Sequence, residues 1–216
     1  GPGPSALDGR QKRLLEPPAK FFGATAEALE SLDRLLAHWL FDLRVAGRET
    51  LPEANVIFAP NHASYLDPLV LAAALGQARL QNTYWGGLPV LIFRLLRRLF
   101  GDKALRALHV LPVDPQAAPA SALALGLEAL RHGHDLVWFP EGARSPDGSL
   151  QEFRPGVGAL AEGAEVAIVP VVLTGTHQVW PPGQGLPHPG PVRVSFAPAV
   201  AWRDLKENGT GASSAE

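Results

Sequence analysis

"VIFAPNHASYLDPLVLAAALG", Val56 to Gly76, passes from a short apolar run through a turn-rich stretch into a second apolar run that a glycine closes. Val56-Ile57-Phe58-Ala59 has the length and polarity of a buried strand, and Pro60 ends it because proline has no N–H for a ladder. Asp67 and Pro68 read as a helix start, Asp67 as N-cap and Pro68 at the first helical position, with the helix running to Leu75. Gly76 supplies the stop. A strand that leads through a tight turn into a helix is the building unit of an α/β sheet.

Outward from this stretch the same alternation recurs. Val110 to Val113 reads as a strand, Pro119 to His132 as an Ala/Leu-rich helix and Leu136 to Phe139 as a further strand. A short helix follows near Gly156 to Glu162, then strands at Val166 to Val169, Val171 to Thr174 and Val192 to Phe196. The predicted fold is α/β, with a mainly parallel central sheet flanked by helices over residues 48–205. No internal repeat appears.

Ahead of this domain, Leu29, Leu32, Leu35, Leu36, Trp39, Leu40 and Leu43 fall at helical spacing, so residues 19–47 are expected to form an N-terminal amphipathic, membrane-associating helical segment. The opening "GPGP" resembles a cleavage remnant, no methionine occurs even at position 1, and residues 1–18 are expected to be a disordered leader. Residues 206–216, "KENGTGASSAE", read as a disordered tail.

The net charge of −2 gives no electrostatic case for a nucleic-acid partner. With no cysteine in the chain, a disulfide framework, a thiolate metal site and a cysteine nucleophile are excluded. No window holds the roughly 18 uninterrupted apolar residues of a spanning helix. Charge is nevertheless concentrated locally: Arg79 to Arg106 contains six basic residues and one acid, Asp102. Inside that stretch "GLPVLIFRLLRRLFG", Gly87 to Gly101, gathers Leu88, Leu91, Ile92, Leu95, Leu96 and Leu99 on one side and Arg94, Arg97 and Arg98 on another. Such a helix suits a lipid surface, with leucines at the acyl boundary and arginines on phosphates. The predicted place of action is therefore peripheral, on the cytoplasmic face of a membrane, with Leu91, Arg94, Arg97 and Arg98 as contacts.

His62 and Asp67 stand five positions apart. In a helix that spacing separates two residues by about 7.5 Å along the axis and about 140° around it. In a strand they lie on the order of 17 Å apart, so only a turn brings them together. A turn through Ala63-Ser64-Tyr65-Leu66 lets the Asp67 carboxylate reach the His62 ring, fix its tautomer and leave its other nitrogen to take a proton. No G-x-S-x-G is present, so the hydroxyl to be activated belongs more naturally to a substrate. Read alone, these residues leave open a capping aspartate beside an incidental histidine.

Downstream, "FPEGARS", Phe139 to Ser145, follows a strand and places Glu141 and Arg144 on a glycine-containing loop. The carboxyl edge of an α/β sheet is where ligands bind, and the guanidinium fork of Arg144 matches phosphate oxygens. A surface loop with an Arg–Glu pair is the alternative. The remaining histidines show no carboxylate or cysteine at ligand spacing, and no metal is expected.

Together "NHASYLD" and "FPEGARS" resemble the paired motifs of the glycerolipid acyltransferases, typified by lysophosphatidic acid acyltransferase: N-H-x-x-x-x-D, then F-P-E-G-T-R-S. "HVLPVD", His109 to Asp114, and "IVPVVL", Ile168 to Leu173, resemble the family's second and fourth motifs. The resemblance implies that His62 is a general base oriented by Asp67. By the same resemblance the expected acyl donor is acyl-CoA or an acyl-carrier protein as co-substrate, with no resident cofactor, and the expected acceptor is a lysophospholipid, lysophosphatidic acid before others. It further implies acceptor or acyl-chain contacts at Asn61, Glu141, Gly142, Arg144, Ser145 and Pro170. Two positions depart from the pattern: Pro115 stands where an arginine often follows the second motif's aspartate, and Ala143 replaces the usual threonine. Pro115 keeps open a degenerate lipid-binding domain, and a thioesterase that uses water as acceptor is the other reading.

Overall fold

The computed structural model describes residues 7, 9–16, 40–86, 98, 106, 108–111 and 119–208. Among them seven strands form one sheet: β1 (Leu43–Ala46), β2 (Val56–Pro60), β3 (Thr83–Gly86), β4 (Val110–Leu111), β5 (Asp135–Val137), β6 (Ala167–Thr174) and β7 (Val192–Phe196). Their order across the sheet is β1-β7-β6-β2-β5-β3-β4. Every neighbouring pair is parallel except β6 with β7. The expected mainly parallel α/β sheet is thus the fold.

β2 lies in the interior of the sheet, between β5 and β6, and its sequence shows why. Side chains alternate along a strand, so Val56 and Phe58 face one layer while Ile57 faces the other. Both layers are dry, as a continuous apolar run in a parallel sheet requires. Over the first face lie Val70, Leu71, Ala74 and Leu75 of the helix α2 (Asp67–Leu75). Over the second lie Leu125, Ala129 and Leu130 of α4 (Pro119–Arg131), with Leu160 and Ala161 of α5 (Gly156–Ala164). Gly126 permits this packing, because a Cβ there would stand 3.1 Å from Leu136 and 3.2 Å from Leu160. At the amino ends of the strands, buried Asp135 accepts the Val56 N–H at 2.9 Å and pairs with Arg79 at 2.5 Å.

The sequence reading is corrected at several places. Residues 43–46 form β1, so the helical segment expected over 19–47 does not reach its predicted end; residues 19–39 lie outside the described residues. Leu43 served the helical pattern equally well because one apolar residue satisfies either period. The leader contains a helix, α1 (Gly9–Leu14), with Leu7 and Leu15 packed on the α4–α5 layer, where burial of leucine offsets the ordering of a short segment. The helix α7 (Trp202–Asn208) runs into the expected tail, and residues 209–216 lie outside the described residues. Two predicted strands are one: β6 runs through Pro170, whose missing N–H faces the point where β7 has ended. Strand β3 was not foreseen, and its Tyr84 and Trp85 are core. The remaining short helices are α3 (Gln77–Leu80) and α6 (Thr176–Val179). Of the basic segment at 87–101, only Arg98 is described, exposed and helical, while Leu91, Arg94 and Arg97 lie outside the described residues, as do Asp114 and Pro115.

Candidate active site

β2, β5 and β6 are adjacent and parallel, so their carboxyl ends meet at one edge of the sheet. His62 stands just past β2, the loop 139–155 follows β5, and Leu173 lies near the end of β6. The three are joined by main-chain groups. Asn61 extends the ladder through its side chain: its Nδ2 donates to the Leu173 carbonyl at 3.1 Å and its Oδ1 accepts the Leu173 N–H at 2.7 Å.

The turn predicted between His62 and Asp67 is present. His62 Nδ1 lies 2.8 Å from Asp67 Oδ2. The same carboxylate oxygen accepts the N–H groups of Ala63 and Ser64, both at 2.7 Å. The Asp67 side chain is fully buried, and three donors converge on its Oδ2. The capping expectation needs correction: Leu66 is the N-cap, Asp67 is the first residue of α2, and no side chain caps the helix. The carboxylate turns backward into the motif turn. Nδ1 faces a carboxylate, so it carries the proton and Nε2 is the basic nitrogen. Nε2 has no hydrogen bond among the described residues, and the side chain retains 15% exposure.

The loop after β5 grips the same histidine. The Phe139 ring lies 4.1 Å from the imidazole, centroid to centroid. Ser145 donates its N–H to the His62 carbonyl at 2.7 Å, and Glu141 Oε1 accepts the His62 N–H at 2.6 Å. Glu141 Oε2 accepts the Gln151 N–H at 3.0 Å. Gly142 adopts φ +70°, a left-handed conformation open to glycine, and a Cβ there would meet Arg154 at 2.8 Å. Buried Ser145 turns its hydroxyl to Asp147 at 2.9 Å. Two donors from Ser149 and that hydroxyl hold the Asp147 carboxyl down at about 2.

Arg144 is half-buried, and its guanidinium lies 3.9 Å from the Tyr65 ring centre, a cation–π contact. Tyr65 packs in turn on Trp180, 5.5 Å between ring centres. The Trp180 carbonyl accepts the Ser64 hydroxyl at 2.6 Å. Tyr65 and Trp180 were not anticipated from sequence. Tyr65 sits at an unspecified place in the motif, and its partners come from loops far along the chain, so no local spacing marks it.

The predicted residues therefore share one edge: Asn61, His62 and Asp67 from the β2 turn, Glu141 to Ser145 from the β5 loop, and Pro170 on β6 beside Ala59. Among the described residues no cluster of histidine and carboxylates forms a metal site. A cavity of about 390 Å³ lies at the opposite edge, at the amino ends of β2, β3 and β5. Its Arg79 is committed to Asp135 and to the Pro52 and Ala54 carbonyls.

Comparison with known proteins identifies the family. A family model described as Acyltransferase matches residues 42–174. The 1-acyl-sn-glycerol-3-phosphate acyltransferase of Limnanthes alba is 31% identical over 177 residues, covering 78% of this chain and 59% of that protein. The chloroplastic 1-acyl-sn-glycerol-3-phosphate acyltransferase LPAT1 of Arabidopsis thaliana is 31% identical over 157 residues, 71% of this chain and 42% of that one. The bacterial counterpart from Pseudomonas aeruginosa is 28% identical over 172 residues, 78% of this chain and 62% of that one. The chain thus spans 59% and 42% of the length of the two plant relatives. The crystal structure of the 1-acyl-sn-glycerophosphate (LPA) acyltransferase PlsC from Thermotoga maritima shares the fold, with a TM-score of 0.65 at 23% identity over 95% of this chain and 76% of that one.

Proposed function

The chain belongs to the acyltransferase family, and from that premise we propose that it moves a fatty acyl group from a thioester, acyl-CoA or an acylated carrier protein, to the hydroxyl of a lysophospholipid. Lysophosphatidic acid is the acceptor we favour, giving phosphatidic acid, because relatives at about 30% identity carry the name of that activity. The observation that carries the mechanism is the 2.8 Å contact of His62 Nδ1 with the buried Asp67 carboxylate, which leaves Nε2 facing outward as a base.

In this mechanism Nε2 takes the proton of the acceptor hydroxyl as its oxygen attacks the thioester carbonyl. Asp67 stabilises the resulting imidazolium and holds the ring's orientation. The tetrahedral adduct collapses with cleavage of the C–S bond, and the proton on Nε2 passes to the departing thiolate. The products are an ester and a free thiol, with no acyl group left on the protein.

Arg144, stacked on Tyr65, offers its guanidinium edge to the acceptor phosphate, and Gly142 lets that phosphate approach the backbone. Asn61, Ser145 and Pro170 shape the floor of the cleft. The amphipathic segment at 87–101 docks the protein peripherally, through Leu91, Arg94, Arg97 and Arg98, on the bilayer that holds its lipids.

The test is incubation with labelled acyl-CoA and acyl-carrier protein against a panel of lysolipids. Wild type should form diacyl product, and His62→Ala should lower transfer by about a hundred- to ten-thousand-fold. Transfer unchanged in His62→Ala would remove the base from the mechanism. Free fatty acid without acylated lipid would make the protein a thioesterase, and lipid binding with no thioester turnover would make it a binding domain.

A further inference from the structure

We infer that Glu141 is a positioning residue for His62, acting through the histidine's main chain, and does not bind the acceptor. The inference deepens the acyl-transfer reading and rests on it for its kinetic consequence. Three observations carry it.

First, the carboxylate is spent within the protein. Oε1 accepts the His62 N–H at 2.6 Å and Oε2 accepts the Gln151 N–H at 3.0 Å. Second, the residue is 3% exposed, which leaves almost no surface for a ligand to reach. Third, the His62 peptide is held from both sides by one loop: its N–H goes to Glu141, while its carbonyl accepts the Ser145 N–H at 2.7 Å.

The loop itself is braced where it grips. Gly142 donates to the Phe139 carbonyl at 3.1 Å, Arg154 donates to the Pro140 carbonyl at 2.8 Å, and the Gln151 side chain donates to the Ala143 carbonyl at 3.2 Å. Glu141 makes no ion pair among the described residues, so two main-chain N–H dipoles compensate its charge. That arrangement suits a splint between two loops. A side chain poised for an anionic phosphate ester would place negative charge against negative charge, whereas a buried splint has no such conflict.

Asp67 sets the tilt of the imidazole, and Glu141 sets where the backbone carrying it stands. Both are needed to keep Nε2 within proton-transfer distance of an acceptor hydroxyl, and a displacement near 1 Å in such a geometry costs about a hundredfold in rate. Glutamine at 141 keeps an oxygen for the His62 N–H but presents an NH2 to the Gln151 N–H. Alanine loses both contacts.

The experiment has two arms on the full chain. In the kinetic arm, kcat and the acceptor KM are measured for wild type, Glu141→Gln and Glu141→Ala. We expect kcat to fall in the order Glu, Gln, Ala, reaching about a hundredfold for alanine, with KM unchanged within about twofold. A raised acceptor KM with kcat preserved would overturn the proposal and make Glu141 an acceptor ligand. In the spectroscopic arm, the His62 amide proton of wild type should resonate far downfield and exchange slowly, as a short bond to a buried carboxylate requires, and Glu141→Gln should move it upfield. An ordinary, fast-exchanging His62 amide in wild type overturns the proposal even if neither variant folds. Should wild type transfer no acyl group to any lysolipid, the functional reading fails, and the amide signal still decides whether Glu141 holds His62.

Discussion

At the scale of single residues, the direction of the Asp67 side chain decides what the motif is for. The sequence allowed it to cap a helix or to orient a histidine, and both uses begin from the same Asp-Pro pair. The structure sends the carboxylate back to Nδ1 of His62 and to two N–H groups of the turn. Asp67→Asn keeps a single oxygen and offers an NH2 where an anion was, so the imidazolium loses its counter-charge. We expect kcat to fall by about a thousandfold or more with the protein still folded, as tautomer loss does in related triads; activity within tenfold of wild type would refute the orienting role. Tyr65 makes a second prediction. Its ring backs Arg144, and cation–π contacts contribute about 0.5–2 kcal/mol, so Tyr65→Leu should raise the acceptor KM by about two- to thirtyfold while Tyr65→Phe leaves it near wild type. An equal KM for lysolipids with and without a phosphomonoester in Tyr65→Leu and in wild type would separate the ring from phosphate binding. The His–Asp contact was legible as one of two readings of a local turn, and the resemblance carried jointly by "NHASYLD" and "FPEGARS" favoured it. The contacts of Tyr65 and Glu141 were not, because they join loops whose proximity the sheet alone creates.

At the scale of elements, legibility followed length and period. The apolar run of β2 and the Ala/Leu pattern of α4 were readable because several residues repeat one message. The four-residue β3, "TYWG", carries too few turns of any period to announce itself, and β1 shared its leucine with a helical stripe. β3 matters for more than topology. Tyr84 stacks on His109 at 4.9 Å and meets His134 edge-on at 5.0 Å. Burial holds His109 below the ordinary histidine value of 6.5, and the neighbouring His134 adds to the depression. His134 is lowered chiefly by burial as well, and by His132, with Asp135 opposing. The sign follows directly: above 6.5 both folded and unfolded chains keep these imidazoles neutral, and below it the unfolded chain binds protons first. Stability therefore falls as the pH drops from about 6.5 toward the lowered native values. His109 has φ +51°, which asparagine tolerates, so His109→Asn should remove part of that slope without disturbing the backbone. Thermal unfolding between about pH 7 and pH 5 measures it; a slope identical to wild type would exonerate His109.

For the whole molecule, composition gives no electrostatic case for a nucleic-acid partner and the fold gathers the motif residues at one edge, yet neither says how a lipid would arrive. No helix among the described residues is long and apolar enough to cross a membrane. Replacing Arg94, Arg97 and Arg98 with glutamate should release the protein from anionic vesicles and leave its affinity for neutral ones little changed, as sedimentation would record. Equal sedimentation of wild type and variant would rule out docking through this segment. The order of the strands has a further consequence, for synthesis. Strand β1 is among the first parts of the sheet to be made, but its partner is β7, so Leu43 waits for Val192. Until the ribosome has released β7, the hydrogen-bonding edge of β1 stays open on the nascent chain and β6 lacks a neighbour on one side. A chain stopped before Val192 would expose both edges, and completion of β7 decides whether the protein emerges closed or adhesive.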